Sequence, residues 1–551
     1  MGARGNTQAS AQQNAQQNAQ THYDVAIIGY GPTGATLAKL LGQAGLSVAV
    51  FEREAGIYSL PRAIHFDGEV MRVFQNAGLR AQVEAISRPG LKGMHFVDAQ
   101  GETLLVRGGS ALRGMHGCAN NYYFHQPELE AVLREGVQRH ANVQVHLRHE
   151  VFAMQEQGEA GVEVGAGRVQ LRYENTADGT LSSCTASYVI GCDGARSLTR
   201  RLIGSAMEDL GLHQPWLVFD VMLKEGRGAH LPDHTQQICD PLRPMTYCNV
   251  LGARRRWEIM LLPGDDPASI ARPENVWPLV SRWVTPEDAV LERAAVYTFH
   301  SVIARLWRGK GAASRLLLAG DAAHQTPPFL GQGMCAGIRD AANLAWKLVL
   351  VLRGQADDAL LDTYESERAP HVRAFIDLAV RLGAIIQATD LEVARERDRK
   401  FKSGLPETFT FPAPPLGPGL HARVEAPEGA AALVGLSFPQ PLVPDPGLLN
   451  GQQSHEPLPE GKLLDEVAGQ RFVVLGEAQV LHGVSDKTRA RWRALDAMVF
   501  EQPGEQAGAW LKAQGARAIV LRPDRYIMGT AGSAAELDAL CARLPVASVF
   551  A

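Results

Sequence analysis

The chain has 551 residues, 46% of them apolar and 21% charged, which are globular proportions in a chain too long for one core. A net charge of −5 argues against a nucleic-acid or anionic-membrane binder. No apolar run approaches the roughly 18 residues of a membrane span, and the 7 cysteines include no Cys-x-x-Cys pair, which fits a reduced cytoplasmic protein without a zinc or redox dithiol site.

Residues 1–22 are rich in Gln, Asn and Ala and lack an apolar signal core, so they read as a disordered tail. Val25–Ile28 then reads as a buried parallel strand and Ala35–Ala44 as a helix. Between them Gly29, Gly31 and Gly34 form a Gly-x-Gly-x-x-Gly turn. Gly29 permits the tight turn, Gly31 admits a pyrophosphate to the backbone, and Gly34 lets helix and strand pack closely. A second apolar run, Val48–Glu52, ends in an acid 18 residues past Gly34, where a ribose-binding carboxylate belongs; Arg53 adjoins it. The spacing predicts a bound dinucleotide.

Farther on, Pro61–Asp67 reads as a loop, Glu69–Ala77 as a short helix and Gln126–Val137 as a helix with Pro127 in its first turn. Val143–Leu147 and Val162–Tyr173 alternate like strands, and an apolar strand from Tyr188 runs into Asp193-Gly194. Between Trp216 and Phe299 alternating runs predict an antiparallel sheet. A buried strand from Arg315 leads to Gly320-Asp321, followed by helices over Met334–Leu352 and Leu360–Ile386. Pro and Gly crowd 404–460, a linker and surface loop. The end of the chain alternates strand (Arg471–Leu475), helix (Asp486–Leu495), strand (Ala497–Phe500), helix (Ala507–Gln514), strand (Ala518–Leu521), turn and helix (Ala534–Ala542), a small α/β unit.

Three separated segments point to one cofactor: the glycine turn with Glu52, Cys192-Asp193-Gly194-Ala195-Arg196, and Gly320-Asp321-Ala322-Ala323-His324 with Pro327-Pro328 to Met334. This set resembles the group A flavoprotein aromatic hydroxylases, the 4-hydroxybenzoate hydroxylase-like monooxygenases. The runs Arg62–Arg72, Asp240–Pro244, Gly331–Lys347 and Arg522–Tyr526 are similar to the 3-(3-hydroxyphenyl)propionate hydroxylase branch, a likeness extending from about Tyr23 to the C-terminus. The resemblance implies FAD as the resident cofactor and NADH or NADPH as a transient reductant. It places Asp193 and Gly194 beside FAD and the nicotinamide, Gly320 and Asp321 on the ribityl chain, and Gly331, Gly333 and Met334 at the flavin edge. It also places Arg62 near the pyrophosphate and Gln126 at the flavin side, roles the surrounding motifs favour over a surface ion pair and a helix-start residue.

The implied fold class is α/β: a Rossmann-like FAD-binding domain (23–82, 117–198 and 305–390) interleaved with a mixed-sheet substrate domain (83–116 and 199–304). A linker with loops (391–460) and a C-terminal thioredoxin-like domain (461–551) complete it. Cys541 is the only cysteine after Cys335, so that last domain would be redox-inert. The implied reaction is ortho-hydroxylation of a phenolic acid by NAD(P)H and O2, with 3-(3-hydroxyphenyl)propionate and 3-hydroxycinnamate the expected substrates. Another phenol, a polyketide or a non-catalytic FAD-binding role are the alternatives. A homodimer is compatible with this reading, and neither nucleic acid nor membrane is an expected partner. For catalysis the candidates are His65 for the phenol proton, Tyr247 as a hydrogen-bond partner of the phenol and the Pro328 carbonyl near the substrate hydroxyl. Arg243, Arg255 and Arg256 could hold an acid side chain, and His324 reads as a brace of its loop.

Overall fold

The computed structural model describes residues 21–60, 62–108, 112–157, 167–310, 314–403, 414–420, 433–443, 461–501 and 504–547. The expected tail up to Gln20, the start of the strand expected from Val162, Pro61, and most of the expected 404–460 linker lie outside the described residues.

Val25, Ala26, Ile27, Val48, Ala49 and Val50 have no exposed surface. Strands buried on both faces read as unbroken apolar runs, and such strands pair in parallel. Accordingly His22–Ile28 lies between Val48–Glu52 and Leu181–Gly191, parallel to both. Val143–Leu147 extends this sheet on one side, while Leu316–Leu318 pairs parallel with Leu181–Gly191. An antiparallel pair, Arg168–Asn175 and His149–Gln157, completes the seven strands. The glycine-turn helix spans Pro32–Gln43 and begins earlier than expected, because proline at its first position already has a helical φ. It packs on the long helix Gly333–Leu352.

The second sheet has eight strands in the order His324–Gln325, Ala289–Ala304, Met207–Leu223, Arg254–Met260, Met245–Asn249, Thr235–Ile238, Met94–Val97, Thr103–Arg107. All neighbours are antiparallel except Thr235–Ile238 with Met94–Val97. The sheet has two unlike faces. Leu217, Phe219, Tyr247, Trp257 and Ile259 form an apolar core with Val276 and Val280 of the helix Pro273–Val280. Thr235, Gln237, Thr246, Cys248, Arg256 and Glu258 alternate with them and line a cleft on the other side.

A third sheet of three short strands corrects the expected Pro61–Asp67 loop. His65–Asp67 pairs antiparallel with Asn121–Phe124, which also pairs with Ser87–Pro89. Three residues are too few for alternation to register in the sequence.

The C-terminal unit orders its strands Met498–Phe500, Val473–Gly476, Ala518–Leu521, Ile527–Ala531; the first pair is parallel and the other two antiparallel. The expected turn before the last helix thus contains a fourth strand. Gly529 weakened its signal, yet is required there, since a Cβ would stand 2.6 Å from Leu540 Cδ1. This unit is joined to the rest by buried charges. Glu367 accepts from Lys347 Nζ at 2.6 Å and pairs with Arg522 Nη1 at 2.8 Å, while Asp524 accepts from Asn343 at 3.0 Å. Among the described residues, no helix is long and apolar enough to cross a membrane.

Candidate functional site

A cleft of about 730 Å3 opens where His22–Ile28 and Leu181–Gly191 end and runs to the polar face of the eight-stranded sheet. In open α/β sheets, ligands settle outside the carboxyl ends of the strands where the order reverses. Gly29 has φ of +98°, and a Cβ there would overlap the Cys192 carbonyl oxygen. A Cβ on Gly34 would overlap the Gly29 carbonyl oxygen, so this glycine is what allows helix and turn to touch. Gly31 differs: its φ is −75°, and nothing lies within 4 Å of where a Cβ would stand, on the side of the cleft. Glu52 accepts from Tyr30 N–H and Glu54 N–H, each at 2.9 Å, and stands outside the cleft lining. Arg53 turns to solvent beside Glu54 and, like Glu52, stands outside the cleft lining.

The two acidic motifs take different positions. Asp193 accepts from Ser197 Oγ, from Thr199 N–H at 3.0 Å and from Thr199 Oγ1 at 3.2 Å. It thereby ties the strand end to the helix Leu198–Ile203, and leaves Gly194 (φ +72°) to face the cleft. Asp321 opens onto the cleft itself. The surrounding protein desolvates its carboxyl and raises its pKa, against the pull of His324 and Arg62. Gly320, at φ +63°, is packed so closely on Thr33 that a Cβ would stand 2.7 Å from Oγ1. A buried carboxylate to which the sequence reading assigned no role holds this turn: Asp340 accepts from Gly320 N–H (3.0 Å), His324 Nε2 (2.6 Å) and Arg368 Nε (2.9 Å).

Gly331, Gly333 and Met334 line the cleft where the long helix begins, beside Pro328. Arg62 also lines it, as does Gln126. The Gln126 side-chain oxygen accepts from Arg62 N–H at 3.0 Å and Ala63 N–H at 2.6 Å, and its amide donates to Glu130 at 2.8 Å. Its polar atoms are therefore engaged in shaping the 62–63 segment.

His65 lies at the junction between this region and the polar wall. Its Nε2 is 3.0 Å from Asn121 Oδ1, and its Nδ1 stands against Gly331, where a Cβ would come within 2.7 Å. Nδ1 makes no well-formed hydrogen bond among the described residues. Burial lowers the His65 pKa more than the Asn121 bond raises it, so the ring is neutral at pH 7. The two ring nitrogens thus face Asn121 and the Gly331 backbone.

The structure corrects Tyr247. Residues 246 and 248 face the cleft, so 247 faces away. Its hydroxyl donates to the Pro232 carbonyl at 2.9 Å, its ring packs on Trp257 at 5.2 Å, and burial pushes its pKa up to about 12. Arg243 pairs with Asp265, and Arg255 donates to the Gly252 carbonyl at 2.8 Å; neither lines the cleft. Arg256 does, but it binds Asp220 at 2.7 Å and the Arg62 carbonyl at 2.7 Å. Sequence reading missed Asn121 and Arg107. Arg107 ends the strand Thr103–Arg107 on the cleft wall, where burial lowers its pKa to about 10 against the opposing field of Asp67. No local motif marks either residue; the short-strand pairing brings them to the site.

A family model described as "FAD binding domain" matches residues 22–379. Over 549 residues the chain is 36% identical to a "Probable NADH-specific resorcinol 4-hydroxylase" of Rhodococcus jostii (strain RHA1), covering 95% of each chain. It is 33% identical over 542 residues to a "3-(3-hydroxy-phenyl)propionate/3-hydroxycinnamic acid hydroxylase" of Escherichia coli O157:H7 (strain EC4115 / EHEC), covering 92% of this chain and 91% of the other. In fold it is similar to the flavin-dependent monooxygenase PieE, solved with FAD and substrate (TM-score 0.76, 20% identity, 95% and 98% covered). It is likewise similar to aklavinone-11 hydroxylase, solved with FAD and aklavinone (TM-score 0.76, 21% identity, 95% and 99% covered).

Proposed function

This chain belongs to the FAD-binding flavoprotein aromatic monooxygenases, and on that premise we propose that it hydroxylates a phenolic acid of the 3-(3-hydroxyphenyl)propionate type beside its phenol hydroxyl, with NADH as reductant. The observation that carries this reading is one continuous cleft. It joins the glycine turn and Asp321 to a wall that holds a neutral histidine and an arginine.

The residues present fit FAD. Gly31 leaves room for a pyrophosphate against the start of the helix Pro32–Gln43, where backbone N–H groups and the helix dipole favour negative charge. Glu52 keeps lone pairs for ribose hydroxyls beyond the two N–H groups it accepts. Asp321 would accept from the ribityl hydroxyls, and the start of Gly333–Leu352 would meet the flavin edge that gains negative charge on reduction. Bound FAD would supply the redox chemistry, by which phenol, NADH, a proton and O2 become catechol, NAD+ and water. On the protein side, His65, a neutral imidazole on the cleft wall, would handle the phenol proton, whose removal raises the nucleophilicity of the ring. Arg107 would hold the substrate carboxylate. The apolar lining from Met94 and Leu330 would face the reacting ring and help exclude water from it.

For the C-terminal unit the proposed reading is thioredoxin-like, supported by its parallel β-α-β start and antiparallel strand pair. Without a second cysteine it would be structural.

The test is NADH consumption, catechol formation and H2O2 release over a panel of phenols. 3-(3-Hydroxyphenyl)propionate is expected to give catechol product matched to NADH. A second reading, resorcinol as substrate, is favoured by the relative of that name. It replaces the first if resorcinol gives product while the phenolic acid gives only H2O2.

Tyr247→Phe checks the orientation of the sheet. It should cost about 1 kcal/mol of stability for the lost hydrogen bond to Pro232 and leave kcat near wild type. A tenfold fall in kcat with an unchanged thermal midpoint would return Tyr247 to the site.

A further inference from the structure

Beneath the flavin-edge end of the cleft runs a line of polar side chains that the reaction does not use directly. Tyr526, just before the last strand of the C-terminal unit, donates to Glu69 Oε1 at 2.6 Å. The other Glu69 oxygen accepts from Arg339 Nε at 2.7 Å. Arg339 donates onward to Gln332 Oε1 at 3.0 Å and to Asp67. Gln332 closes the circuit by donating to Asp67 Oδ2 at 3.0 Å. Tyr526, Glu69, Arg339 and Gln332 are all buried.

The far end of this line consists of two parts of the site. Gln332 is the residue immediately before the helix Gly333–Leu352, and its side chain, which bonds Arg339 and Asp67 and caps no helix N–H, anchors the backbone at the helix start. Asp67 lies two residues after His65 on the same short strand, and therefore on the same face. Its carboxyl is desolvated, but Arg339, the Val70 N–H and Gln332 together hold its pKa at about 2, so it is a permanent anion. A second line runs parallel: Arg72, in the helix Gly68–Asn76, binds Asp465 at 2.6 Å, and Arg525 binds the same carboxylate at 2.8 Å. The C-terminal unit thus reaches the site through charged groups with fixed hydrogen-bond geometry as well as through apolar packing.

We infer that Tyr526 of the C-terminal unit is a positioning residue of the active site, acting through Glu69, Arg339 and Gln332 to set the start of the flavin-edge helix and the strand that carries His65. This rests on the reading of the cleft as the FAD site. The physical reason is rigidity. A buried carboxylate that loses one of its donors is under-satisfied and re-forms its bonds elsewhere, and here Glu69 relaxes against Arg339 and with it Gln332 and Asp67.

The experiment compares Tyr526→Phe, Gln332→Ala and the double variant with the wild type. FAD affinity is read from the fluorescence of released FAD, and H2O2 per NADH is measured at saturating FAD. Tyr526→Phe is expected to weaken FAD binding about threefold to tenfold, part of the effect of one hydrogen bond to a charged group passed along the line. It should also raise the H2O2 share, with a thermal midpoint close to wild type. The double variant should fall short of the product of the two single effects, because both cut one line. Wild-type affinity and coupling in Tyr526→Phe, or strictly multiplicative effects in the double variant, would overturn the inference. Failure of the wild type to retain FAD would instead overturn the reading of the cleft.

Discussion

Gly34→Ala is expected to strip the protein of FAD. The methyl group would occupy the position of the Gly29 carbonyl oxygen, so the helix Pro32–Gln43 must move off the turn. Overpacking of this kind costs about 1–3 kcal/mol, and the displaced helix start would lose its aim at the pyrophosphate. Affinity for FAD should fall by about a hundredfold or more, the equivalent of at least one hydrogen bond to a charged group. Gly31→Ala makes the informative contrast. Its φ is one that any residue adopts and its methyl would meet no protein atom, so stability should hold while FAD affinity falls. Thermal midpoints of the apoproteins and FAD titrations separate the two. Equal apoprotein stability in both variants would mean that Gly34 is not a packing residue.

Glu367→Ala is expected to cost about 3–5 kcal/mol, the usual penalty for removing one partner of a buried ion pair. Glu367 has no exposed surface and serves Lys347, Arg522, Asn343 and the Leu420 N–H together. Its loss strands the buried Lys347 and leaves Arg522 with Asp524 alone, at the seam between the long helix and the C-terminal unit. The sign of the pH dependence follows from its carboxyl. Burial works against the charge, but Arg522 and Lys347 overcome it and hold the pKa far below the ordinary range. A depressed carboxylate stabilises the fold fully above its unfolded pKa of about 4.3 and loses that contribution as the pH falls below it. The gap in denaturant midpoint between wild type and variant should therefore be widest at neutral pH and narrow on acidification. A gap indifferent to pH would remove the charge from the explanation.

The cofactor half of the site was legible because its signals are local. Gly29, Gly31 and Gly34 each answer a demand of the same turn, and the strands around them are apolar on both faces. The substrate half depends on pairing. Alternation in Thr246-Tyr247-Cys248 tells that two faces exist, but only the register with Arg254–Met260 and Thr235–Ile238 tells which one meets the cleft, and Tyr247 belongs to the other. His65 was found as a residue while its strand was not, since three residues carry no period. Arg107 and Asn121 come to the wall through strands far from the motifs in sequence, and Asp340 supports the Gly320 turn from 20 residues away.

The register of the eight-stranded sheet also bears on how this protein could change its diet. Thr235, Cys248 and Arg256 form one row of cross-strand neighbours, and Gln237, Thr246 and Glu258 form the next. Together they make a mosaic of six side chains whose chain neighbours, including Tyr247 and Trp257, belong to the core below. Uncharged tiles such as Thr246 and Gln237, whose side chains hydrogen-bond each other at 2.6 Å, can therefore be exchanged as a pair without touching the apolar residues that keep the sheet folded. A mutant library restricted to these positions should yield many folded proteins with shifted preferences, whereas one shifted by a single residue along each strand should yield mostly unfolded chains.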